Sequence, residues 1–540
     1  MLVLSQALLL ASAPPTPIAP AAQSAAAPLI LDRNRPDRVP TPVEPVPQTK
    51  APDLGRTRVE AEATGADIRH IDFGGTQVPA RVAEAARGFI GRRASGAVLE
   101  ALAKAMSDAY ARSDVALYTV LVPRQSMTGG TITIRVAEGH VERVLFTRGM
   151  TPLLKAYALR LTEERPLTRH TLERQLSLMR DIAGRTIDVQ LLRGREPGGV
   201  ILQIDAKRKR HEQSIAFDNR GSELTGDVEI RADAHAYGLL RDGDRTDLTG
   251  LVSPDLERLR YIALSHATPI GSDGITATLS GGYISTHPRH SIVSGDARTF
   301  GLTIADPIVR GYRRNLTATL GIDGIDSDSA ALGDIIAADH TRALRGALGY
   351  SDAQAKSVLT AGVTVSRGLD ILNAKGFTGF TDTVFTKLNA RVTYDRQIGK
   401  RLFGRLRASA QYSKDRLAAA ERFVVGGADF GRAFDQAVLS GDRGYAGLAE
   451  VAIRPKLPTK FDGSELYGFG DYSKLRIVAR GPYLPGTFDL ASAGGGVRIS
   501  FTTRAALELE AARAIDTPYP GYRGGKWRIN VGWRLALAKM

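Results

Sequence analysis

Residues 226–240 read Gly-Asp-Val-Glu-Ile-Arg-Ala-Asp-Ala-His-Ala-Tyr-Gly-Leu-Leu. The central part alternates strictly, with Val228, Ile230, Ala232, Ala234 and Ala236 on one side and Asp227, Glu229, Arg231, Asp233 and His235 on the other. A period of two is the repeat of an extended strand, whose successive side chains point to opposite faces. Strands of soluble sandwiches alternate too, but rarely for so long. The turn Arg241-Asp-Gly-Asp244 follows, and long segments of the same kind recur at Tyr261–Thr268, Ile275–Ser285, Asn315–Asp323 and Lys526–Ala538. From about His211 to the end of the chain there is room for about sixteen strands of membrane-spanning length, with short turns on one side and longer loops on the other. Closing such a sheet removes its edges, as lipid requires, because hydrocarbon cannot satisfy backbone donors and acceptors.

Composition agrees with a barrel. The 540 residues have a slightly polar mean hydropathy of −0.13 although 43% are apolar. After the N-terminus there is no apolar run of about 18 residues, which excludes a helical membrane protein. A barrel passes that test because lipid-facing and lumen-facing residues average out along each strand. There is no cysteine, so neither disulfides nor thiolate metal sites are available. The formal charge is +15, but the basic residues are interspersed with acidic ones and form no block longer than Lys207–Arg210. That pattern argues against nucleic acid and for a basic surface facing anionic lipid headgroups or lipopolysaccharide.

Upstream of the alternating region the organisation differs. Residues 1–27, with an apolar stretch Leu2–Ala13 and small residues Ser24–Ala27, resemble a secretory signal peptide, although the first basic residue is Arg33. Residues 28–60 read as a linker, extended by Pro36, Pro40, Pro42, Pro45, Pro47 and Pro52. In 61–142 a strand Ile68–Phe73 precedes a helix Val78–Phe89. A second helix, capped by Ser95, places Val98, Leu99, Leu102, Met106 and Tyr110 on one face. Strands Leu117–Val122 and Thr131–Val136 follow, joined by Ser126–Gly130. The same β-α-α-β-β order recurs in 143–208, with Thr168 as cap of its second helix and strands around Ile187–Leu191 and Val200–Ile204. The expected architecture is therefore two small β-α-α-β-β domains followed by a barrel over 209–540.

Several motifs refine this. Val122-Pro-Arg-Gln125, Gly129-Gly130 and Val136-Ala-Glu-Gly-His-Val141 form one run in the first small domain. Glu421–Gly427, Phe430-Gly-Arg-Ala-Phe-Asp435 and Leu439–Gly444 form another, and Leu466-Tyr-Gly-Phe-Gly-Asp-Tyr472 a third. Together they resemble the ShlB/FhaC/HecB family of two-partner secretion transporters, over about residues 60–540. The resemblance implies two periplasmic POTRA domains, a sixteen-stranded outer-membrane barrel and export of an unfolded exoprotein. It also implies that the loop carrying Gly426, Gly427, Arg432 and Phe434 folds back into the lumen, with Asp471 and Phe469 as its receivers on the wall. The family's motif has a glycine where this chain has Ala433, which raises the question of the local backbone. A planar guanidinium opposite Asp471 is expected to form a two-pronged ion pair.

Val309-Arg-Gly-Tyr312 spells the family motif literally, but it sits between two alternating segments with almost no loop, so Arg310 is assigned to a tight periplasmic turn. Asp323, Asp326 and Asp328 lack the spacing and final glutamate of a calcium loop and are expected in a solvated extracellular loop. No metalloprotease, nucleophile-elbow or phosphate-loop motif occurs, so no enzyme, cofactor or metal is expected. The expected partners are an exoprotein client, outer-membrane lipid and lipopolysaccharide, and the barrel assembly machinery during biogenesis. Alternatives at this level are an assembly factor that inserts other barrels, a passive porin, or a soluble periplasmic binding or hydrolytic protein.

Overall fold

The computed structural model describes residues 57–537 except 63–64, 127, 223–224, 290–292, 332–333, 502–503, 520–521 and 523. The expected signal peptide, and the linker up to residue 56, lie outside the described residues. The chain divides into two compact units, one of residues 57–209 with Val309–Tyr312 and one of residues 210–308 and 313–537.

The first unit contains both β-α-α-β-β repeats. Its first half runs β1 (Thr57–Val59), β2 (His70–Asp72), α1 (Ala80–Arg87), α2 (Gly96–Ala111), β3 (Tyr118–Val122), β4 (Thr131–Thr133) and β5 (Arg135–Glu138). Ser95 caps α2 by accepting from the Val98 N–H, and Leu99, Leu102, Met106 and Tyr110 are buried. Two details depart from expectation. Residues 57–59, assigned to the linker, form a strand that pairs in parallel with β3. Three residues are too few to reveal a period. The strand expected over 131–136 is two, β4 pairing with β2 and β5 with β3.

The second half runs β6 (His140–Arg148), α3 (Pro152–Leu159), α4 (Arg169–Asp181), β7 (Arg185–Arg193) and β8 (Gly199–Arg208), with sheet order β6-β8-β7. Thr151 and Thr168 cap α3 and α4 through their hydroxyls. The halves meet at Gly139 rather than after residue 142. There a Cβ would lie 2.4 Å from the Leu117 Cβ, so the close approach requires glycine.

The described residues of the second unit form a closed antiparallel barrel of sixteen strands. In chain order they are β9 (His211–Asp218), β10 (Glu229–Tyr237), β11 (Arg245–Val252), β12 (Leu259–Ile270), β13 (Ile275–Thr286), β14 (Val293–Arg310), β15 (Arg314–Ala331) and β16 (Asp334–Ala353). Then come β17 (Ser357–Gly368), β18 (Thr386–Gln397) and β19 (Leu402–Tyr412). A short hairpin of β20 (Phe423–Val425) and β21 (Leu439–Gly441) interrupts the wall. The wall resumes with β22 (Arg443–Ile453), β23 (Glu465–Ile477), β24 (Gly486–Phe501), β25 (Ala505–Ala514) and β26 (Trp527–Ala536). Pairing of β26 with β9 closes the ring. The outer surface is aliphatic, with Leu264, Leu279 and Leu320 more than half exposed, as a wall facing hydrocarbon requires.

The three aspartates expected in a loop lie instead within β15. Asp323 pairs with Arg345, Asp326 with Arg342 at 2.6 Å, and Asp328 with His340 at 3.2 Å. Charges on both faces of the far end of this strand broke the alternation, so the segment read as loop. Arg310 does end β14 at a tight turn, Gly311–Arg313, but it is not a solvated turn residue. Val309–Tyr312 cluster with the first unit, where the buried Arg310 guanidinium donates to both Asp181 oxygens at 2.6 and 2.7 Å.

Candidate functional site: a loop locked inside the barrel

Residues 413–442 leave the wall between β19 and β22 and are mostly buried. The β20–β21 hairpin forms the stem, and the return is made by glycines. Gly426 has φ +104° and a Cβ there would meet the Asp435 carbonyl at 2.3 Å, which leaves no room for a side chain. Gly427 and Gly431 are also left-handed. Ala433 is not: the non-glycine residue of this loop with positive φ is Ala437. The missing motif glycine therefore costs the backbone nothing at position 433.

Arg432 is 4% exposed. Its guanidinium donates to Glu450 Oε2 at 3.1 Å and Glu510 Oε2 at 3.0 Å, and its Nε to the Ala428 carbonyl at 3.2 Å. The guanidinium carbon lies 4.6 Å from the centre of the Phe469 ring, a cation–π arrangement. The expected ion pair with Asp471 is not formed. Asp471 accepts instead from the backbone N–H of Gly431 at 2.9 Å and of Arg432 at 3.4 Å, and from the Ser492 hydroxyl at 2.7 Å. Wall and loop do meet at these residues, but the carboxylate holds the loop's main chain while two glutamates hold its side chain. Phe434 is fully buried, its ring 5.9 Å from that of Tyr522.

The two glutamates belong to a larger ionic lining. Arg498 donates to both Glu450 oxygens at 2.7 and 2.9 Å and to Glu465 at 2.8 Å. Arg405 bridges the same pair at 2.6 and 2.7 Å. Glu510 also receives Asn530 at 3.0 Å and lies 2.8 Å from the Tyr467 hydroxyl and 3.1 Å from Arg220. Buried charges with this many hydrogen bonds hold one geometry firmly and are costly to break from one side.

The base of the loop is tied separately. Glu421, fully buried, accepts from Arg345 at 2.8 Å and Lys387 at 2.6 Å. Asp442, also fully buried, accepts from the Leu417 and Val478 N–H groups at 2.9 Å each and pairs with Arg480. Glu450 and Glu510 were not named from the sequence, and Glu421 entered there only as the first residue of a motif, with no partner assigned. Glu450 and Glu510 carried a signal there, since each is an acidic residue at a lumen-facing parity of an alternating strand. Among the described residues one group has donor spacing suited to a metal, His140, Glu142 and Glu196, and its donors are engaged. His140 Nε2 lies 3.0 Å from Glu196, and Glu142 accepts the Glu196 N–H at 2.6 Å.

A sixteen-stranded barrel with an aliphatic exterior, an ionic lumen and an inserted loop, following β-α-α-β-β domains, defines an outer-membrane β-barrel protein with N-terminal POTRA-type domains. Residues 198–499 match the model of the haemolysin secretion/activation protein ShlB/FhaC/HecB family, and residues 66–139 match the ShlB-type POTRA domain. The chain belongs to the ShlB/FhaC/HecB family. It is similar to the outer membrane transporter CdiB of Escherichia coli, at 22% identity over 365 residues that cover 64% of this chain and 61% of that protein. It is also similar to the heme/hemopexin transporter protein HuxB of Haemophilus influenzae, at 22% identity over 42% of this chain and 41% of the relative. The alignments thus span about three fifths and two fifths of those relatives. Among solved structures, CdiB from Escherichia coli superposes with a TM-score of 0.68 at 18% identity, covering 92% of this chain and 94% of the other. CdiB from Acinetobacter baumannii gives 0.62 at 15% identity, covering 91% and 94%.

Proposed function

We propose that this protein captures an unfolded exoprotein in the periplasm and exports it through its barrel, as the transporter of a two-partner secretion system. The observation that carries the reading is the loop over 413–442, docked in the lumen by a removable side chain, Arg432, and hinged at a separate base around Glu421 and Asp442. A passive porin would not need the N-terminal domains that precede the barrel. The edge strands β6 and β7 suit an extended client, which would add by backbone hydrogen bonds and be selected by side-chain pockets. No nucleotide is involved, and folding of the client outside biases its movement. Lipid, lipopolysaccharide and the barrel assembly machinery are the other partners this reading implies, and it assigns no enzymatic step.

Co-expression with the client gene, which is sought beside this one, tests the proposal. Arg432→Ala removes two ion pairs from a buried site, a loss of about 3–5 kcal/mol in the docking of the loop. Secreted client should fall while the heat-modifiable folded barrel persists. Arg432→Lys should restore little, because an ammonium keeps the charge but lacks the Nε–H that holds the Ala428 carbonyl and the planar face that stacks on Phe469. Deleting residues 60–205 should leave a barrel that inserts without exporting. Undiminished secretion from both Arg432→Ala and the deletion would refute the reading.

A further inference from the structure

The wall that carries the loop also has an outward face, and at one place that face is not purely apolar. Strands β22 and β23 run side by side, with Arg443 opposite Arg476 and Tyr445 opposite Lys474 in register. Their side chains share the outer face with the exposed Tyr445 and Tyr472, whose rings lie 6.3 Å apart. On the neighbouring strand, Tyr412 is exposed and its ring lies 5.9 Å from the Arg443 guanidinium carbon. Partners in register are about 5 Å apart and alternate residues about 7 Å apart along a strand, so the three cations occupy one small patch. A groove of about 500 Å³ runs through it, lined by Leu388, Tyr412, Arg443, Tyr445, Lys474 and Arg476 among others. Among the described residues, the acidic neighbour in contact is Asp489, 3.5 Å from Lys474.

The position of this patch along the strands identifies what it faces. β22 begins immediately after the 413–442 loop, and β23 leads into the connection at 478–485, on the same side of the barrel. The N-terminal domains are periplasmic and β9 leads away from them, so this end of each strand lies at the extracellular side. The lipid there carries phosphates on a sugar headgroup above several acyl chains. Tyr445 is level with Lys474 and Tyr472 lies one step deeper, so tyrosines and cations share the interfacial band, while Ala390 and Ala410 continue the groove one step below Leu388 and Tyr412.

We propose that Arg443, Lys474 and Arg476 form a binding site for the phosphorylated headgroup of an outer-leaflet glycolipid of the lipid A type, with an acyl chain in the groove beside Leu388 and Tyr412. Guanidinium pairs suit phosphate because their parallel N–H groups match two of its oxygens. A lipid held there braces β22 and β23, the two strands whose inner faces carry Glu450 and Asp471. The site gives the lipopolysaccharide partner of that reading a defined place on the wall, yet its binding is measurable without any client and stands apart from the export reading.

The test is lipid binding by the full-length protein in detergent, followed by native mass spectrometry during titration with lipid A. Wild type should retain lipid A, and Arg443→Ser/Lys474→Ser/Arg476→Ser should bind it at least tenfold more weakly. Dephosphorylated lipid A should bind wild type as weakly as lipid A binds the triple variant. Arg396→Ser, an exposed arginine at the opposite end of β18, should leave binding unchanged. If the triple variant does not reach the heat-modifiable folded state, Arg476→Ser and Lys474→Ser are compared singly, each expected to weaken binding severalfold. Equal retention of phosphorylated and dephosphorylated lipid, or equal binding by wild type and the folded variants, would overturn the site.

Discussion

In the first unit, the side chains that form the two cores are aliphatic and aromatic: Leu99, Leu102, Met106 and Val120 in one half, Leu154, Leu176, Leu202 and Ile204 in the other. In the barrel the order is inverted. Leucines such as Leu264 and Leu279 lie on the outside, while Arg432, Glu450, Glu510 and Glu421 are buried inside. Both arrangements come from amphipathic elements, and the surroundings decide which face turns inward. Water outside drives the apolar stripe of α2 into a core. Hydrocarbon outside leaves the apolar face of each barrel strand where it is and gathers the polar face around the lumen. An aliphatic core gains from every methylene it buries, whereas a buried ionic lining gains only if every charge has its partners.

The largest effect that separates the two regimes is expected in the aliphatic one. Leu102 has no exposed surface, so Leu102→Ala should cost about 2–5 kcal/mol through lost transfer energy and the cavity left behind. Hydrogen exchange of the intact protein should show the α2 amides losing about hundredfold protection while the barrel strands are unaffected. A change spread evenly over both units would mean that they do not unfold separately.

Next comes the outer wall. Leu264 is 54% exposed near the middle of β12, and Leu264→Arg should impair assembly by about 2–4 kcal/mol, the cost of a charge near the middle of the bilayer. Leu535 faces the same way but lies one residue from the end of β26, where the cost falls to about 0–1 kcal/mol. Heat-modifiable barrel yield should therefore rank wild type, then Leu535→Arg, then Leu264→Arg. The reverse ranking would show that the depth assigned to these residues is wrong.

Leu535 also marks how far the sequence could be read. The alternation Val531, Trp533, Leu535, Leu537 gave the outward parity of the last strand. The structure agrees, since Asn530 of the opposite parity reaches the Arg432 carbonyl at 3.1 Å inside. Depth along the strand was not legible, because a period of two has no origin. The candidate site divides the same way. The loop, its glycines and the wall segment Leu466–Tyr472 were named by the resemblance to the family's motifs. The partners of Arg432 were not, since Glu450 and Glu510 come from strands 18 and 78 residues away and meet it only once the barrel register is fixed. The true strand membership of Asp326 and Asp328 was hidden for a related reason: their partners Arg342 and His340 lie on the next strand, so the pairs cannot be seen along one stretch of chain.

The smallest expected effect returns to the first unit, where a single carboxylate does what whole clusters do in the barrel. Glu164 precedes α4 and accepts from the Thr168 N–H at 3.0 Å, the Thr168 hydroxyl at 2.8 Å and the Thr171 hydroxyl at 2.6 Å. Partial burial raises its carboxyl pKa, but the hydrogen bonds from Thr171 and Thr168 outweigh that and hold it below the usual range. The positive end of the α4 dipole acts in the same direction. A carboxyl whose pKa falls on folding stabilises the folded form only while ionised. Its contribution is complete above the unfolded value of about 4.3 and is lost as the pH drops through the lower folded value. Protection of the first-turn amides of α4 should therefore weaken on acidification below that range in wild type, after correction for intrinsic exchange. In Glu164→Gln protection should be lower at neutral pH and show a smaller loss on acidification, because a neutral amide has nothing to titrate. If wild type and Glu164→Gln show the same pH profile, the N-terminus of α4 is held by the Thr168 cap alone and the carboxylate is a bystander.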